Sequence, residues 1–402
     1  MTPSRKYFAF LLMSTSLVAL PAQAQDVPPA AAAILKSWEQ QTKIKPTYDS
    51  LDVDGSGNVT IVNLSSSMAA GGDNPGVKIT IGEVALNDIS DAGDGLYEIG
   101  NATFSNMKME VAGPEGTAVI IDMPQGSAEG WYVKALGDNP TPVDLMRSSM
   151  SAARKMSSGK MTATVMGQTI TSDGYVSTWD GDPATGAGTF STKIANVVIP
   201  EGAIATMDPT GSLKQIGYTD LTFDMEAGGT VTIDGDNVGM DFSFAYVGKD
   251  MGAMKVSVAA SDIPLAVYGE LQKSQSTGKE PDYNALMPQL QNISLGHFTF
   301  RFEDASLTKR LLPMAAAMQG MDEAAMVANA GAMLQMMLMQ LNNQAFTDQV
   351  VGAVNAFLKD PKSITIALKP AAPIKVQQLM TLNPADPGAA INMLGVSVTA
   401  ND

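Results

Sequence analysis

The stretch that decides the fold runs from Thr230 to Tyr246. Thr230-Val231-Thr232-Ile233 alternates in polarity and is followed by Asp234-Gly235-Asp236-Asn237, a sequence typical of a tight hairpin turn. After the turn, large apolar side chains occupy even positions only: Val238, Met240, Phe242, Phe244 and Tyr246. Because successive side chains of a strand point to opposite faces, this pattern predicts an antiparallel hairpin with one dry face and one wet face.

Strand patterns continue on both sides of this hairpin, and three of them share a motif. The motif places a small residue after isoleucine: Ile81-Gly82-Glu83-Val84, Ile99-Gly100-Asn101-Ala102 and Ile194-Ala195-Asn196-Val197. In the first two, the apolar positions change parity across the glycine. Such a change is typical of a β-bulge, in which an extra residue bends the strand. Chance recurrence of common strand residues is the alternative interpretation.

The last quarter of the chain combines helices and strands. A strand is predicted over 292–303, helices over 306–359, and further strands over 363–369 and 393–400. Because strands flank the helical block, we expect it to cover the sheet rather than to form a separate domain. The predicted fold class is mainly β (α+β), a long curved antiparallel sheet with a C-terminal, methionine-rich helical cover.

Five segments are expected along the chain. The first has the features of a secretory signal peptide, with Arg5 and Lys6 before an apolar stretch and Ala22-Gln23-Ala24 as the cleavage site. The expected segments are a signal peptide (1–24), an N-terminal helix and lead (25–45), a first β-rich lobe (46–140), a connecting helix (141–160) and a second β-rich lobe (161–402).

The composition excludes several classes of function. Of 402 residues, 41 are acidic, 25 basic and one is histidine; there is no cysteine, and the formal charge is −16. A chain without thiols has no disulfides and no thiolate zinc site, and one imidazole cannot supply a multi-histidine site. An acidic surface repels nucleic-acid phosphates and anionic headgroups, so we expect neither as a general partner. With the signal peptide, this composition predicts an exported, periplasmic protein, with release into the medium as the alternative.

Methionine is the most unusual residue type, with 27 copies. On a helix over 326–341, one broad apolar face is predicted, while Met336 and Met339 fall among the amides. The residues of that face are Met326, Val327, Ala330, Met333, Leu334, Met337, Leu338 and Leu341. Three interpretations apply: a gap-filling core, a flexible surface that contacts an apolar ligand or partner, and thioether binding of copper(I). For ligand contact the candidates are Met326, Met333, Met336, Met337 and Met339.

The same region raises the question of a membrane span. Residues 324–347 carry no charge, but six of them are Asn or Gln. Each amide would be costly in hydrocarbon, and the purely apolar stretch is shorter than the roughly 20 residues that a span needs. We therefore expect a soluble helix here and no transmembrane segment after signal cleavage.

One weak metal site is suggested near the start of the first lobe. Asp52, Asp54, Ser56 and Asn58 match the spaced oxygen ligands of an EF-hand calcium loop. Asn63 stands where a bidentate glutamate is required, and residues 58–64 alternate like a strand rather than a helix. A hairpin turn accounts for the same residues. Calcium is the one cofactor that the sequence suggests, and only as a hypothesis.

The chain carries few candidates for catalysis. His297 falls on the polar face of its predicted strand, opposite in parity to Phe298 and Phe300. Ser306 and Lys309 match a Ser-x-x-Lys pattern without its companion elements, and we expect Ser306 to cap the following helix. Paired carboxylates of a hydrolase stay open as an alternative, because acids are plentiful and their spacing in space is invisible in a sequence.

The signal peptide, the serial strands with the Ile-Gly bend and the tail from Phe302-Glu303-Asp304 to Lys369-Pro370-Ala371-Ala372-Pro373 resemble uncharacterised secreted proteins of Gram-negative bacteria. In style the chain is also similar to AsmA-like envelope proteins, which implies an elongated, apolar-lined groove. No functional residue is carried over from either resemblance. We expect a non-enzymatic periplasmic envelope protein that holds an apolar or lipid ligand between sheet and helices. The alternative is a structural or protein-interaction module with a filled core; the partner would be lipid or another envelope protein.

Overall fold

The structure is a computed structural model that describes residues 27–42, 44–68, 76–112, 118–137, 140–149, 152–277, 280–281, 283–383 and 386–402. The predicted signal peptide over 1–24 lies outside these residues. The helices are α1 (Pro29–Thr42), α2 (Pro142–Ser149), α3 (Glu201–Met207), α4 (Ser212–Gln215), α5 (Leu265–Thr277), α6 (Tyr283–Leu290), α7 (Leu307–Met318), α8 (Glu323–Leu338), α9 (Gln344–Lys359), α10 (Val376–Met380) and α11 (Pro387–Leu394). A 3-10 turn over Met339–Leu341 extends α8.

Strands make up most of the remaining described chain. They are β1 (Ser50–Val53), β2 (Val59–Met68), β3 (Gly76–Gly93), β4 (Leu96–Ala112), β5 (Ala118–Lys134), β6 (Ala153–Ser158), β7 (Met161–Val165), β8 (Gln168–Ser172), β9 (Gly174–Gly181), β10 (Gly188–Ile199), β11 (Leu221–Asp234), β12 (Asn237–Gly248), β13 (Gly252–Pro264), β14 (Ser294–Asp304), β15 (Ser363–Leu368), β16 (Ile374–Lys375) and β17 (Val396–Ala400). The predicted mainly β, antiparallel fold class with C-terminal helices is confirmed.

The chain divides into two compact units. The first comprises Met1–Met166, Thr178–Gly186 and Gln272–Gly278, and the second comprises Gly167–Ser177, Ala187–Leu271 and Lys279–Asp402. Within the segment expected to be a connecting helix, α2 ends at Ser149 and β6 begins at Ala153.

The first unit is an antiparallel sheet covered by a helix. Strands β1 to β5 pair in chain order, and β6 and β7 both pair with β5. Helix α1 packs on this sheet, and its Trp38 is fully buried. Ile61, Leu86 and Ile99 are also fully buried in the same cluster. One face of this sheet is therefore a closed hydrophobic core.

The Ile-Gly motif of the first unit changes parity without a bulge. Ile81 and Val84 are both 1% exposed, so the inward positions change parity as predicted. The expected extra residue is wrong, however, because the pairs Val62–Glu83 and Leu64–Ile81 keep the same register. Asn63, between them, has φ of 52° and lies opposite Gly82. A left-handed residue on one strand facing a glycine on the next therefore reverses the parity of both strands together.

The same device recurs between β3 and β4. Asp88, with φ of 56°, faces Gly100, and a Cβ atom at Gly100 would lie 2.7 Å from the Asp88 Cβ. Glycine is required there because the two backbones approach closely. The third copy of the motif differs, because there the pairing register of β10 with β11 shifts between Ile194 and Val197.

The second unit contains a longer ladder. Strands β10 to β15 pair in chain order, β17 pairs with β15, and β16 pairs with β14. The predicted hairpin is present, with Asp234 opposite Asn237 and Gly235 at φ of 59°. Because register and side-chain alternation agree, the even-numbered apolar residues of β12 share one face.

The helical block lies beside the C-terminal strands in two layers. Helix α9 packs on β15 and β17 through Val350 and Ala353, which contact Val398. Helix α8 packs mainly on α9, with Leu334 and Leu338 in the same cluster. The helix that covers the strands is thus α9, and the methionine-rich α8 is one layer further from the sheet than expected.

Candidate functional site

One face of the sheet in the second unit carries a continuous apolar surface. Directly opposed residues of an antiparallel pair lie on the same face, and two rows of such pairs cross β12, β13, β14 and β15. We call these rows the apolar platform: Phe242, Val258, Phe298 and Leu368 in one, and Phe244, Val256, Phe300 and Ile366 in the other. No residue of the platform has a polar side chain.

The platform is accessible to solvent. Val258 is 42% exposed and Ile366 is 39% exposed, and the other six residues are half-buried. Aromatic rings on this face contact one another: the ring centroids of Phe190 and Phe242 are 5.7 Å apart, and those of Phe244 and Tyr246 are 4.5 Å apart. The first pair is tilted and the second is edge-to-face, arrangements that add contact energy beyond the burial of area.

Helix α9 bounds the platform on one side. The next row along the sheet contains Phe302, whose ring lies 6.1 Å from that of Phe357 on α9. Val398, which pairs with Ile366, is only 7% exposed. Helix α9 thus covers Val398 but leaves Ile366, its neighbour on the same face, exposed to solvent.

The opposite face of these strands is polar and held by ion pairs. Arg301 contacts Glu303 at 2.9 Å and Asp402 at 2.6 Å, and Lys255 contacts Glu303 at 2.8 Å. Hydrogen bonds from Thr399 and then from Arg301 lower the pKa of Asp402 to about 2. The hydrogen bond from Lys255, followed by that from Arg301, lowers the pKa of Glu303. This cluster links β13, β14 and the end of the chain behind the platform.

His297 lies on this polar face, as predicted. It pairs with Ala259 and is half-buried, one residue from Phe298 of the platform. The alternation of β14 therefore points the imidazole away from the apolar surface.

Four of the five candidate methionines are exposed to solvent. Met333, Met336, Met337 and Met339 are 61% to 66% exposed, and Met326 is half-buried. Of the predicted apolar face, Leu334 and Leu338 pack in the cluster with α9, whereas Met333 and Met337 are exposed. Helix α8 lies close to α9 at Gly331, where a Cβ would lie 2.7 Å from the Asn355 Oδ1.

Helix α8 is also the one described helix that meets a length and composition test for membrane spans. Residues Glu323–Leu341 form a 19-residue segment with a mean hydropathy of 1.3, of which 11% is buried. Length and apolar composition do not by themselves distinguish a membrane span, since core helices and signal sequences share both properties. The small buried fraction does show that α8 presents apolar side chains to solvent.

The residues of the calcium hypothesis lie together in the β1–β2 hairpin turn. The Asp54 Oδ1 accepts hydrogen bonds from the backbone N–H groups of Ser56 at 2.7 Å and Asn58 at 3.0 Å. The Asp54 Oδ2 accepts a bond from the Asn58 side chain at 2.9 Å, and the hydrogen bonds, that one foremost, lower the pKa of Asp54. Asp52 accepts a bond from Ser50. The turn therefore uses the oxygens that a calcium ion would need, and the chain continues into β2 where an EF-hand has a helix.

No metal cluster of the usual kind occurs in the described part of the chain. Groups of three or more His, Asp or Glu side chains that could hold an ion are absent there. Calcium binding stays a prediction without a supporting contact.

Ser306 does not cap α7 with its side chain, so that expectation is wrong. Its hydroxyl donates to the carbonyl of Asp250 and lies 3.0 Å from the Tyr218 hydroxyl. The Asp304 Oδ1 instead accepts the backbone N–H of Thr308 at 2.7 Å. The Ser306 hydroxyl thus links the turn at Asp250 to the start of α7.

The sequence missed the openness of the platform. The even-position pattern of β12 and β14 identified Phe242, Phe244, Phe298 and Phe300 as a dry face, but alternation does not show what covers that face.

Comparison with known proteins gives one match, to the C-terminal part of the chain. A protein-family model described as "Uncharacterized protein" matches residues 245–401. The matched region contains β13 to β17 and the whole helical block. No curated protein matches the chain. The family match thus supports a common unit of strands and helices and states no activity.

Proposed function

We propose that the protein is a non-enzymatic, exported protein of the periplasm that holds an acyl chain of a lipid on the apolar platform. The observation that carries this proposal is the exposure of Val258 (42%) and Ile366 (39%) within a sheet face of four phenylalanines and four aliphatic residues. Apolar surface left in water costs about 25 cal/mol per Å², so an apolar ligand that covers these rows is favoured.

The chemistry of the surface selects the class of ligand. The platform has no hydrogen-bond donor or acceptor among its side chains, so it cannot orient a polar substrate. The ion pairs of Arg301, Glu303 and Lys255 lie on the other face of the strands and do not serve the platform. A long hydrocarbon chain, which needs contact area and no polar partner, fits this surface.

The test is to isolate the mature protein from its own periplasm and analyse it by native mass spectrometry with lipid extraction. We expect a co-purifying acyl-chain species of defined stoichiometry. A fluorescent fatty acid then measures affinity for the purified, delipidated protein.

Two matched variants make the test specific to the platform. Val258→Asn places an amide in the platform and should weaken fatty-acid binding at least tenfold, a change of about 1.4 kcal/mol. Val247→Asn is the control, because Val247 is 41% exposed on the opposite face of β12. Equal affinity of both variants would contradict the proposal. A protein free of lipid that also fails to bind the fatty acid would favour the structural or interaction module instead.

A further inference from the structure

Helix α8 and the turn that extends it separate two kinds of apolar residue. The side that packs on α9 carries Val327, Gly331, Leu334 and Leu338, all buried or half-buried. The exposed side carries Met333, Met336, Met337 and Met339, each more than 60% exposed. Every large apolar residue that is exposed between residues 326 and 341 is a methionine.

Hydrophobicity alone does not account for this separation. Leucine is as good a helix former as methionine and as apolar, and this helix uses leucine where it packs. The property that distinguishes the exposed set is the thioether sulfur, which is soft and polarizable. Soft thioether ligands select Cu(I) among the biological metal ions.

The spacing brings three of the sulfurs within reach of one ion. Met336 and Met337 follow Met333 by three and four positions, so their Cβ atoms are neighbours at about 5 to 6 Å on the helix surface. Three rotatable bonds in each side chain let the sulfurs converge. Met339, three positions after Met336, lies next to this group in the 3-10 turn.

The sequence around these methionines lacks the ligands that calcium and zinc prefer, and the charge of the chain favours cations. Residues 324–347 contain no charged side chain and no histidine, so this segment offers neither the carboxylates that calcium prefers nor an imidazole for zinc. The formal charge of −16 on the chain attracts cations to the protein as a whole.

We propose that Met333, Met336 and Met337, with Met339 beside them, form a thioether site for Cu(I). This site is separate in sequence and chemistry from the apolar platform, and neither proposal depends on the other.

Silver(I) is the probe, because it shares the soft, monovalent character of Cu(I) and is stable in air. The mature full-length chain is titrated with silver(I) by calorimetry, and its stoichiometry is read by native mass spectrometry. We expect one silver ion per chain. The triple variant Met333→Leu/Met336→Leu/Met337→Leu removes three sulfurs, retains the apolar volume and should bind none.

Two controls test whether silver binding depends on these sulfurs in particular. Met318→Leu removes a methionine that is 81% exposed at the end of α7, and it should leave silver binding unchanged. Circular dichroism of the triple variant should match the parent, because the replaced side chains face solvent. Silver binding by the triple variant equal to that of the parent, or no binding by the parent, would overturn the site. Val258→Asn should not affect silver binding, so a failure of the lipid proposal would remain distinguishable.

Discussion

The two units use the same kind of sheet to different ends. In the first unit, α1 lies over the strands and Trp38, Ile61, Leu86 and Ile99 are completely buried. In the second, the platform strands pair just as regularly, yet Val258 and Ile366 remain about two-fifths exposed, at 42% and 39%. Alternation of apolar and polar residues therefore produces an apolar face in both units, and the presence of a covering helix decides whether that face becomes a core or stays exposed.

The residue types of the two faces overlap. The covered face of the first unit combines aliphatic side chains such as Ile61 and Leu86 with half-buried aromatic ones such as Phe104. The platform combines four phenylalanines with four aliphatic residues, and Phe242 and Phe244 each contact another ring in a tilted or edge-to-face geometry. Composition therefore does not distinguish the two faces, whereas the covering helix does.

The largest effect on this comparison is expected from removing the cover of the first unit. Trp38→Ala deletes a fully buried ring of α1 and should lower the free energy of unfolding by about 3 to 5 kcal/mol. Urea denaturation followed by circular dichroism measures the change. A loss below about 1 kcal/mol would show that α1 is not an essential cover, and the contrast between the units would then fail.

Features set by local rules were predictable from the sequence, whereas features that depend on distant packing were not. The hairpin at Asp234-Gly235, the alternation of β12 and the parity change at Gly82 and Gly100 were all readable, because turn chemistry and side-chain direction are local. The sequence did not show that Asn63 and Asp88 produce the parity change without a shift of pairing register. This depends on which residue lies opposite on the neighbouring strand.

The site shows the same limit. The phenylalanines of the platform were placed on the correct face, but their exposure depends on where α9 ends relative to Ile366, which no local pattern reports. The sequence predicted the helix that carries the methionines but did not show which side of that helix packs against the protein. Which side of α8 packs on α9 depends on the partner helix, and Met333 and Met337 lie outside that contact.

A second test addresses the parity change that supplies inward-facing residues to the covered face. Gly100→Ala would place a Cβ 2.7 Å from the Asp88 Cβ, so one strand must shift, at a cost of about 1 to 3 kcal/mol. Gly137→Ala is the matched control, because a Cβ at Gly137 meets no atom within 4 Å. Equal thermal stability of the two variants would contradict the close approach between β3 and β4.

The third test makes the same substitution on both faces. Val84 is 1% exposed in the first unit and Val258 is 42% exposed in the platform. Val84→Ala should cost roughly 1.5 kcal/mol or more, whereas Val258→Ala should change stability by at most about 0.5 kcal/mol. Chemical denaturation of both variants gives the two values. A similar loss for both would mean that the platform is packed like a core.

The smallest effect is expected from the polar side of the second unit, and it depends on pH. Thr399 and Arg301 hold the pKa of the Asp402 carboxyl at about 2, below its ordinary value of 3.8. Because the folded state lowers this pKa, the ionised carboxylate stabilises the fold above about pH 3.8, and this contribution is lost as the pH falls through about 2. The gain is small, since Asp402 is 48% exposed and solvent screens the pair.

Two variants test this contribution and connect it with the platform. Asp402→Asn should lower the melting temperature slightly at pH 7, and the difference from the parent should shrink as the pH falls through about 2 and vanish below it. Thr399→Val removes the strongest donor to the carboxylate and should raise the pKa of Asp402 toward its ordinary value, as followed by NMR titration. An unchanged pKa would assign the shift to the other side-chain donors, Arg301 and Ser363. Both substitutions lie on the polar face of the sheet, opposite the platform, so fatty-acid binding at neutral pH should be unchanged in both variants. Loss of binding in either variant would mean that the platform depends on the ion pairs of the opposite face.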